Sequence, residues 1–261
     1  VRFPPFFRGI RAAFFFLTRI PVGGWPYSPA DWKWSAAHFP FVGALLGVAV
    51  GSVARACSPL GALAAALVAL VASLMLTGAF HEDGLADTAD ALGGGATREK
   101  VFIILKDSRI GSYGASALVL SLTLRAALIA ALLPNTVFAL AWSMGAARVG
   151  PIWLMAAIPY AGDEAASKST DLRKTTVWQA LVATGWMLVV GALGWRFGHL
   201  SLAKEAAGVA LCIGFTWLSG YRYVRRVGGI TGDFLGATEQ LCEASLLACL
   251  AWGACNGGCL R

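Results

Sequence analysis

Three aspartates, Asp83, Asp87 and Asp90, stand at i, i+4 and i+7 within Gly78-Ala79-Phe80-His81-Glu82-Asp83-Gly84-Leu85-Ala86-Asp87-Thr88-Ala89-Asp90. At about 100° per residue, a helix gathers them within about 60° on one face. Like charges at this spacing repel by about 0.2–0.5 kcal/mol per pair even when exposed. At the mouth of an apolar bundle the cost is larger, unless a cation lies among them. Oxygen-only ligands suit Mg²⁺, a hard ion that keeps waters and shares substrate phosphates. The plain alternative is a solvated acidic helix face. Glu82 falls off this face and reads as a bystander. His81 also points elsewhere on a continuous helix, as a base or phosphate donor or as a capping or packing histidine.

A second segment, Lys106-Asp107-Ser108-Arg109-Ile110-Gly111-Ser112-Tyr113-Gly114, opens a long apolar run. Lys106, Ser108, Arg109 and the backbone N–H groups of a helix start can hold a phosphate; ordinary juxtamembrane basic residues are the competing reading. A third, Arg222 to Glu239, carries Arg222, Arg225, Arg226, four glycines and Asp233. Asp233 is a candidate metal ligand. Glu239 is either a second one or the acidic first turn of the last helix. Arg125 and Arg148 fall inside apolar runs, where a charge must face the bundle interior or a wet cavity. Each would partner a carboxylate or a substrate phosphate, or else snorkel.

The elements that position these residues are set by composition. Hydrophobic residues make up 57% of the 261 and charged residues 13%, with a mean hydropathy of +0.67; a soluble domain has about 45–50% and about 25%. Soluble, disordered and collagen-like classes are excluded, and the 31 glycines suit small-residue faces between membrane helices. The fold expected is an all-α, polytopic membrane bundle forming a single domain over 1–261. Apolar runs of spanning length occur near 36–56, 60–80, 113–133, 136–158, 176–196, 203–221 and 241–257. These give about seven spans, with Ser58-Pro59 and Pro134-Asn135 among the breaks. Residues 6–20 are too short and basic to span and predict an interfacial or re-entrant helix rather than a signal peptide. Ser28-Pro29 reads as a helix cap and first-turn proline; Trp25, Trp32 and Trp34 suit the headgroup belt.

Polar residues concentrate in 1–35, 81–112, 163–175 and 222–240, each two spans from the next, so all four share one side. They hold 15 of the 21 Lys and Arg, which makes that side cytoplasmic. The net charge of +7 follows from this bias, and no basic run interleaved with aromatics points to nucleic acid. Carboxylates contribute little to topology, yet they crowd the same side, which points to a site. The six cysteines show no C-x-x-C pair; Cys255 and Cys259, one turn apart on a helix, read as packing residues.

At these segments the chain resembles the cobalamin synthase (adenosylcobinamide-GDP ribazoletransferase) family. Phe16-Leu17-Thr18-Arg19-Ile20-Pro21-Val22, Phe39-Pro40-Phe41-Val42-Gly43 with Gly47, His81 to Asp90, Lys106 to Gly114, and Gly228 to Ala237 with Glu239 occur in that family's order and spacing. Two positions depart from it: Glu82 stands where Leu is usual, and Gly162 where Arg is common, so Lys168, Arg173 or Lys174 would have to replace that arginine. The resemblance implies an inner-membrane transferase with its site facing the cytoplasm. It would join adenosylcobinamide-GDP to α-ribazole, or its 5′-phosphate, releasing GMP with the help of Mg²⁺. On that implication Asp83, Asp87, Asp90 and Asp233, with Glu239, hold the ion. His81 or an aspartate takes a proton from the attacking 5′-hydroxyl, and Lys106, Ser108, Arg109, Arg148, Arg222, Arg225 and Arg226 bind substrate. The rival readings are another membrane phosphotransferase or prenyltransferase acting on a diphosphate, a cation-coupled transporter, and a non-catalytic scaffold. Large apolar helices permit a homodimer without demanding one.

Overall fold

A computed structural model describes residues 4–133, 135–161 and 175–253. Gly162, Lys168, Arg173, Lys174, Pro134, Cys255 and Cys259 lie outside the described residues. The described residues form helices α1 (Pro5–Leu17), α2 (Pro29–Ser35), α3 (Phe39–Ala56), α4 (Ala62–Thr77), α5 (Phe80–Gly94), α6 (Arg98–Leu105), α7 (Ser112–Ala131), α8 (Thr136–Ala146), α9 (Val149–Ala157), α10 (Val177–Gly198), α11 (Leu202–Val227) and α12 (Gly232–Ala251). Six spans, 29–56, 112–131, 136–157, 177–198, 202–227 and 232–251, are long and apolar enough to cross a membrane. A seventh requires α4 and α5 to count together, although they bend by 90°. At 16 residues, α4 is about 24 Å long.

The short N-terminal helix is amphipathic, as its basic interruptions require, and buries Gly9, Ala12, Ala13 and Leu17. Ser28 caps α2 in a reciprocal box with Asp31, and Arg8 reaches Asp31 at 3.0 Å to join α1 to α2. Trp25 is exposed, as a headgroup residue should be, whereas Trp32 is buried.

Helix α3 packs closely on α8 because its contact face lacks side chains. Gly43, Gly47 and Gly51 recur every fourth residue; a Cβ on Gly47 would run into the Leu140 carbonyl, and one on Gly51 would stand 2.6 Å from Val137 Cα. Such small-residue seams let backbones approach in lipid, where no hydrophobic force draws helices together. Conversely, Leu63, Leu67, Val71 and Met75 form an exposed ridge along α4, the pattern of a lipid-facing surface. Burial ranks the helices: 78% of the apolar window of α8–α9 is inside, against 17% for α11. The centre is therefore α3, α8–α9 and α12.

One boundary differs from the sequence expectation. The stretch 222–240 is not a polar connection. Helix α11 continues to Val227, Gly228 (φ 81°) closes it, and α12 begins at Gly232 rather than 241. The charges that suggested a loop are carried on helices: Glu239 is buried against Arg148, whereas Arg222 and Arg225 are exposed.

Candidate active site at the crossing of two helices

Helix α5 owes its direction to Gly78 (φ 72°) and Ala79 (φ 58°), two consecutive left-handed residues. Only glycine takes that conformation without steric cost. The Arg19 side chain also packs on Gly78, where a Cβ would stand 2.9 Å from its Nη2. The bend carries the aspartates away from α4 and across α12. Along α5, Asp83 is exposed, Asp87 half-buried and Asp90 buried, and the charges of Asp83 and Asp90 both act on Asp87.

Gly84 is the crossing point. A Cβ there would lie 2.9 Å from the Asp233 carbonyl oxygen and 3.1 Å from Asp233 Cα, while Gly236 faces the His81 backbone at 3.4 Å. Asp233, half-buried in the first turn of α12, is thus delivered to the turn of α5 that bears Asp83. The adjoining connection is fixed by Ile230 N–H donating to Pro159 O at 3.0 Å and Ala161 N–H to Ile230 O at 2.8 Å. The acidic turns of α5 and α12, which bear Asp83, Asp87 and Asp233, thus meet at one rim through their backbones. Among the described residues, no three His, Cys, Asp or Glu side chains stand close enough to hold an ion by themselves.

Asp90 departs from the expected metal role. Its Oδ2 accepts the Gly111 N–H at 2.7 Å and its Oδ1 the Gly114 N–H at 2.8 Å. Both carboxylate oxygens are engaged by the start of α7. Asp90 is the anchor that ties the Lys106–Gly114 segment to α5, and so sets Lys106, Ser108 and Arg109 at the edge of the acidic rim. These three are exposed. Arg109 forks onto Asp107, with Nη2 to Oδ2 at 2.7 Å, and this hydrogen bonding holds the Asp107 carboxyl down to about 2.

The arginines of α11 divide. Arg222 and Arg225 are exposed, Arg225 lying over the Tyr221 ring at 5.7 Å. Arg226 instead donates to the carbonyls of Leu92 and Gly95, at the C-terminal end of α5. This satisfies carbonyls that a helix end leaves without partners, and it replaces the expected substrate contact. Arg98 returns the arrangement, donating through Nε to Val227 O at 2.9 Å.

Behind the rim lies a buried charge network. Arg125 meets Glu82 at 2.7 Å and Glu243 at 2.9 Å, and Arg148 meets Glu239 at 2.8 Å; all five are buried. His81 Nδ1 lies 3.9 Å from Glu239 Oε2. Glu239 is therefore an internal partner of Arg148 rather than a rim ligand or a first-turn cap. Glu82 points off the aspartate face, as its position on the helix requires, but it is not a bystander. Sequence reasoning missed it and Glu243, although a lone arginine in a membrane helix signals that some carboxylate must meet it.

His81, Arg148 and Glu239 line a pocket together with Phe16, Phe39, Phe80 and Tyr160. His81 thus faces this pocket, and Phe39, Phe80 and Tyr160 line it, residues to which the sequence reading assigned no role.

Fold and rim together define a polytopic helical membrane protein in which the acidic turns of two helices meet. The chain belongs to the cobalamin-5-phosphate synthase family, which it matches over residues 9–251. It is 40% identical over 248 residues to the adenosylcobinamide-GDP ribazoletransferase of Leptothrix cholodnii, covering 91% of each chain. It is 41% identical over 249 residues to the one of Rhizobium etli CFN 42 (90% of this chain, 93% of the relative). The corresponding protein of Polaromonas sp. JS666 is 39% identical over 269 residues (90% and 93%). No solved structure matches the chain.

Proposed function

We propose that the protein is an adenosylcobinamide-GDP ribazoletransferase of the cytoplasmic membrane, with the rim facing the cytoplasm. The observation that carries this reading is the Gly84–Asp233 contact, which places the acidic turn of one helix against that of another beside an exposed Lys-Ser-Arg segment. Charge neutralisation and positioning are what phosphoryl transfer chiefly requires.

The donor set is oxygen only, and Mg²⁺ takes one or two carboxylates while sharing phosphate oxygens. Such an ion would be held by Asp83 and Asp87, one turn apart on α5, with Asp233 across the crossing and phosphate oxygens completing its shell; both oxygens of Asp90 accept backbone N–H groups and Glu239 meets Arg148. When bound, the ion offsets negative charge on the diphosphate. Lys106 and Arg109, with Arg222 and Arg225, supply cationic contacts to the remaining phosphate oxygens; Arg109 exchanges Asp107 for substrate. An acceptor hydroxyl forms a bond to the phosphorus next to cobinamide, the bond to the GMP phosphate breaks, and GMP leaves. The hydroxyl proton passes to His81 or a rim carboxylate.

With α-ribazole 5′-phosphate as acceptor, the attacking group differs from the expected 5′-hydroxyl. A 5-phosphate carried in the product occupies the 5′ oxygen, so a secondary ribose hydroxyl attacks instead.

The test uses purified protein in lipid nanodiscs, with adenosylcobinamide-GDP and α-ribazole 5′-phosphate. GMP and adenosylcobalamin 5′-phosphate should accumulate in equal amounts with Mg²⁺ and stop with excess EDTA. Release of CMP or diphosphate from a lipid donor instead, or turnover indifferent to EDTA, would reject the reading.

A further inference from the structure

Helices α10 and α11 are joined by only three residues, and at that turn Leu200 N–H donates to Gly194 O at 3.1 Å. From there they part: α10 packs on α3, α8 and α9, and α11 on α12 and α9. Between them, over a floor of Val149, Gly150 and Trp153 from α9, lies a cleft of about 420 Å³. Met187 on α10 faces Val209 and Ile213 on α11 across it. Ile213 and Trp217, at its mouth, are 66% and 69% exposed, on a helix whose outer face meets lipid. The polar side chains of the lining are already engaged. Trp153 Nε1–H donates to Thr184 Oγ1 at 3.1 Å, and the Thr184 hydroxyl to the Ala180 carbonyl at 2.8 Å. The Cys212 thiol donates to the Cys242 carbonyl at 3.5 Å, and Thr216 Oγ1 meets the Cys242 thiol at 3.8 Å.

We propose that this cleft holds one acyl chain of a bilayer phospholipid, which takes the place of protein contacts between α10 and α11. The site is independent of the reaction at the rim. An empty cleft forfeits dispersion contacts along its walls, and water does not fill apolar space that lacks free polar partners. Size separates the remaining occupants. A helix about 10 Å wide takes roughly 400 Å³ per turn, so a span from a second copy of the chain would fit by a single turn. An apolar cavity of about 150 Å³ takes a benzene ring, and by that measure the cleft accepts about a dozen carbon atoms or more. The lining from Val209 to Trp217 runs about 12 Å along α11, against about 15 Å of hydrocarbon in one leaflet. The Leu200 turn joins the helices at one end, so the chain enters from the other, where α11 finishes beside the rim. There Trp217 stacks on the exposed Tyr221 at 5.9 Å and 13°, a pair of the ring types that settle at headgroup level.

The test uses the protein in phosphatidylcholine nanodiscs that contain a phosphatidylcholine with a diazirine near the end of one acyl chain. Illumination should attach this probe to the peptides bearing Met187 and Val209. Native mass spectrometry, after detergent has stripped the surrounding lipid, should find one phospholipid still bound. Val209→Trp fills the cleft and should remove both the adducts there and the retained lipid. Leu67→Trp, on the exposed ridge of α4, should leave both unchanged. Ile213→Trp, at the exposed mouth, is the second filling variant should Val209→Trp fail to fold. Wild-type protein that keeps no phospholipid, or a lipid kept undiminished by a folded filling variant, would overturn the proposal. So would retention of a neutral isoprenoid, or of a second copy of the chain, in the phospholipid's place.

Discussion

Asp90 shows how a residue type can be read correctly as special and wrongly as to task. It shares a helix face with Asp83 and Asp87, but its two oxygens meet two backbone N–H groups of the α7 start. Carboxylates in such positions make charge-assisted bonds, stronger than neutral ones. Asp90→Asn keeps one acceptor and loses the other. The protein should be destabilised by about 1–3 kcal/mol, the Gly111 and Gly114 amides should exchange faster with deuterium, and GMP release should fall without vanishing. Complete loss of turnover with unchanged exchange would instead make Asp90 a direct ligand. The partners of Asp90, like those of Arg226, were illegible in the sequence because they are backbone groups, which every residue carries. The Asp83–Asp87 face was legible because helical periodicity alone aligns it.

At the scale of elements, the glycines of α3 and those of the outer helices predict opposite results. Gly47→Ala would drive a methyl into the Leu140 carbonyl; overpacking of this kind typically costs about 1–3 kcal/mol. Gly185, in α10, has nothing within 4 Å of a built Cβ. Gly185→Ala should be neutral or stabilising by about 0.5–1 kcal/mol, because glycine carries an entropic cost inside helices. Thermal unfolding in one detergent compares the two, and equal effects would contradict the seam. The apolar spans and the breaks at 57–61 and 199–201 were readable from hydropathy. The start of α12 was not, because a hydropathy window counts Glu239 and Glu243 as exposed charges, whereas Arg148 and Arg125 neutralise them inside the bundle. Nor was the 90° turn into α5 readable, since Gly78 announces flexibility but Ala79 does not.

Over the whole molecule, the burial gradient and the polar rim describe one design. Ion pairs are buried between helices, outer helices present apolar ridges to lipid, and the acidic turns of α5 and α12 meet at one crossing. A buried ion pair is poor evidence of stability, but removing one partner leaves an uncompensated charge. The Arg125–Glu82–Glu243 and Arg148–Glu239 pairs therefore read as fixing how α5, α7, α8–α9 and α12 meet, and with that the position of the rim. The central claim is that carboxylates from two helices form one phosphate-handling site. GMP release by Asp83→Asn, Asp87→Asn and Asp233→Asn, each with wild-type thermal stability in nanodiscs, tests it most directly. The account predicts that all three lose at least about 100-fold in kcat, the scale of removing a group that stabilises transition-state charge; near-wild-type turnover by Asp233→Asn, with the other two inactive, would contradict a shared site.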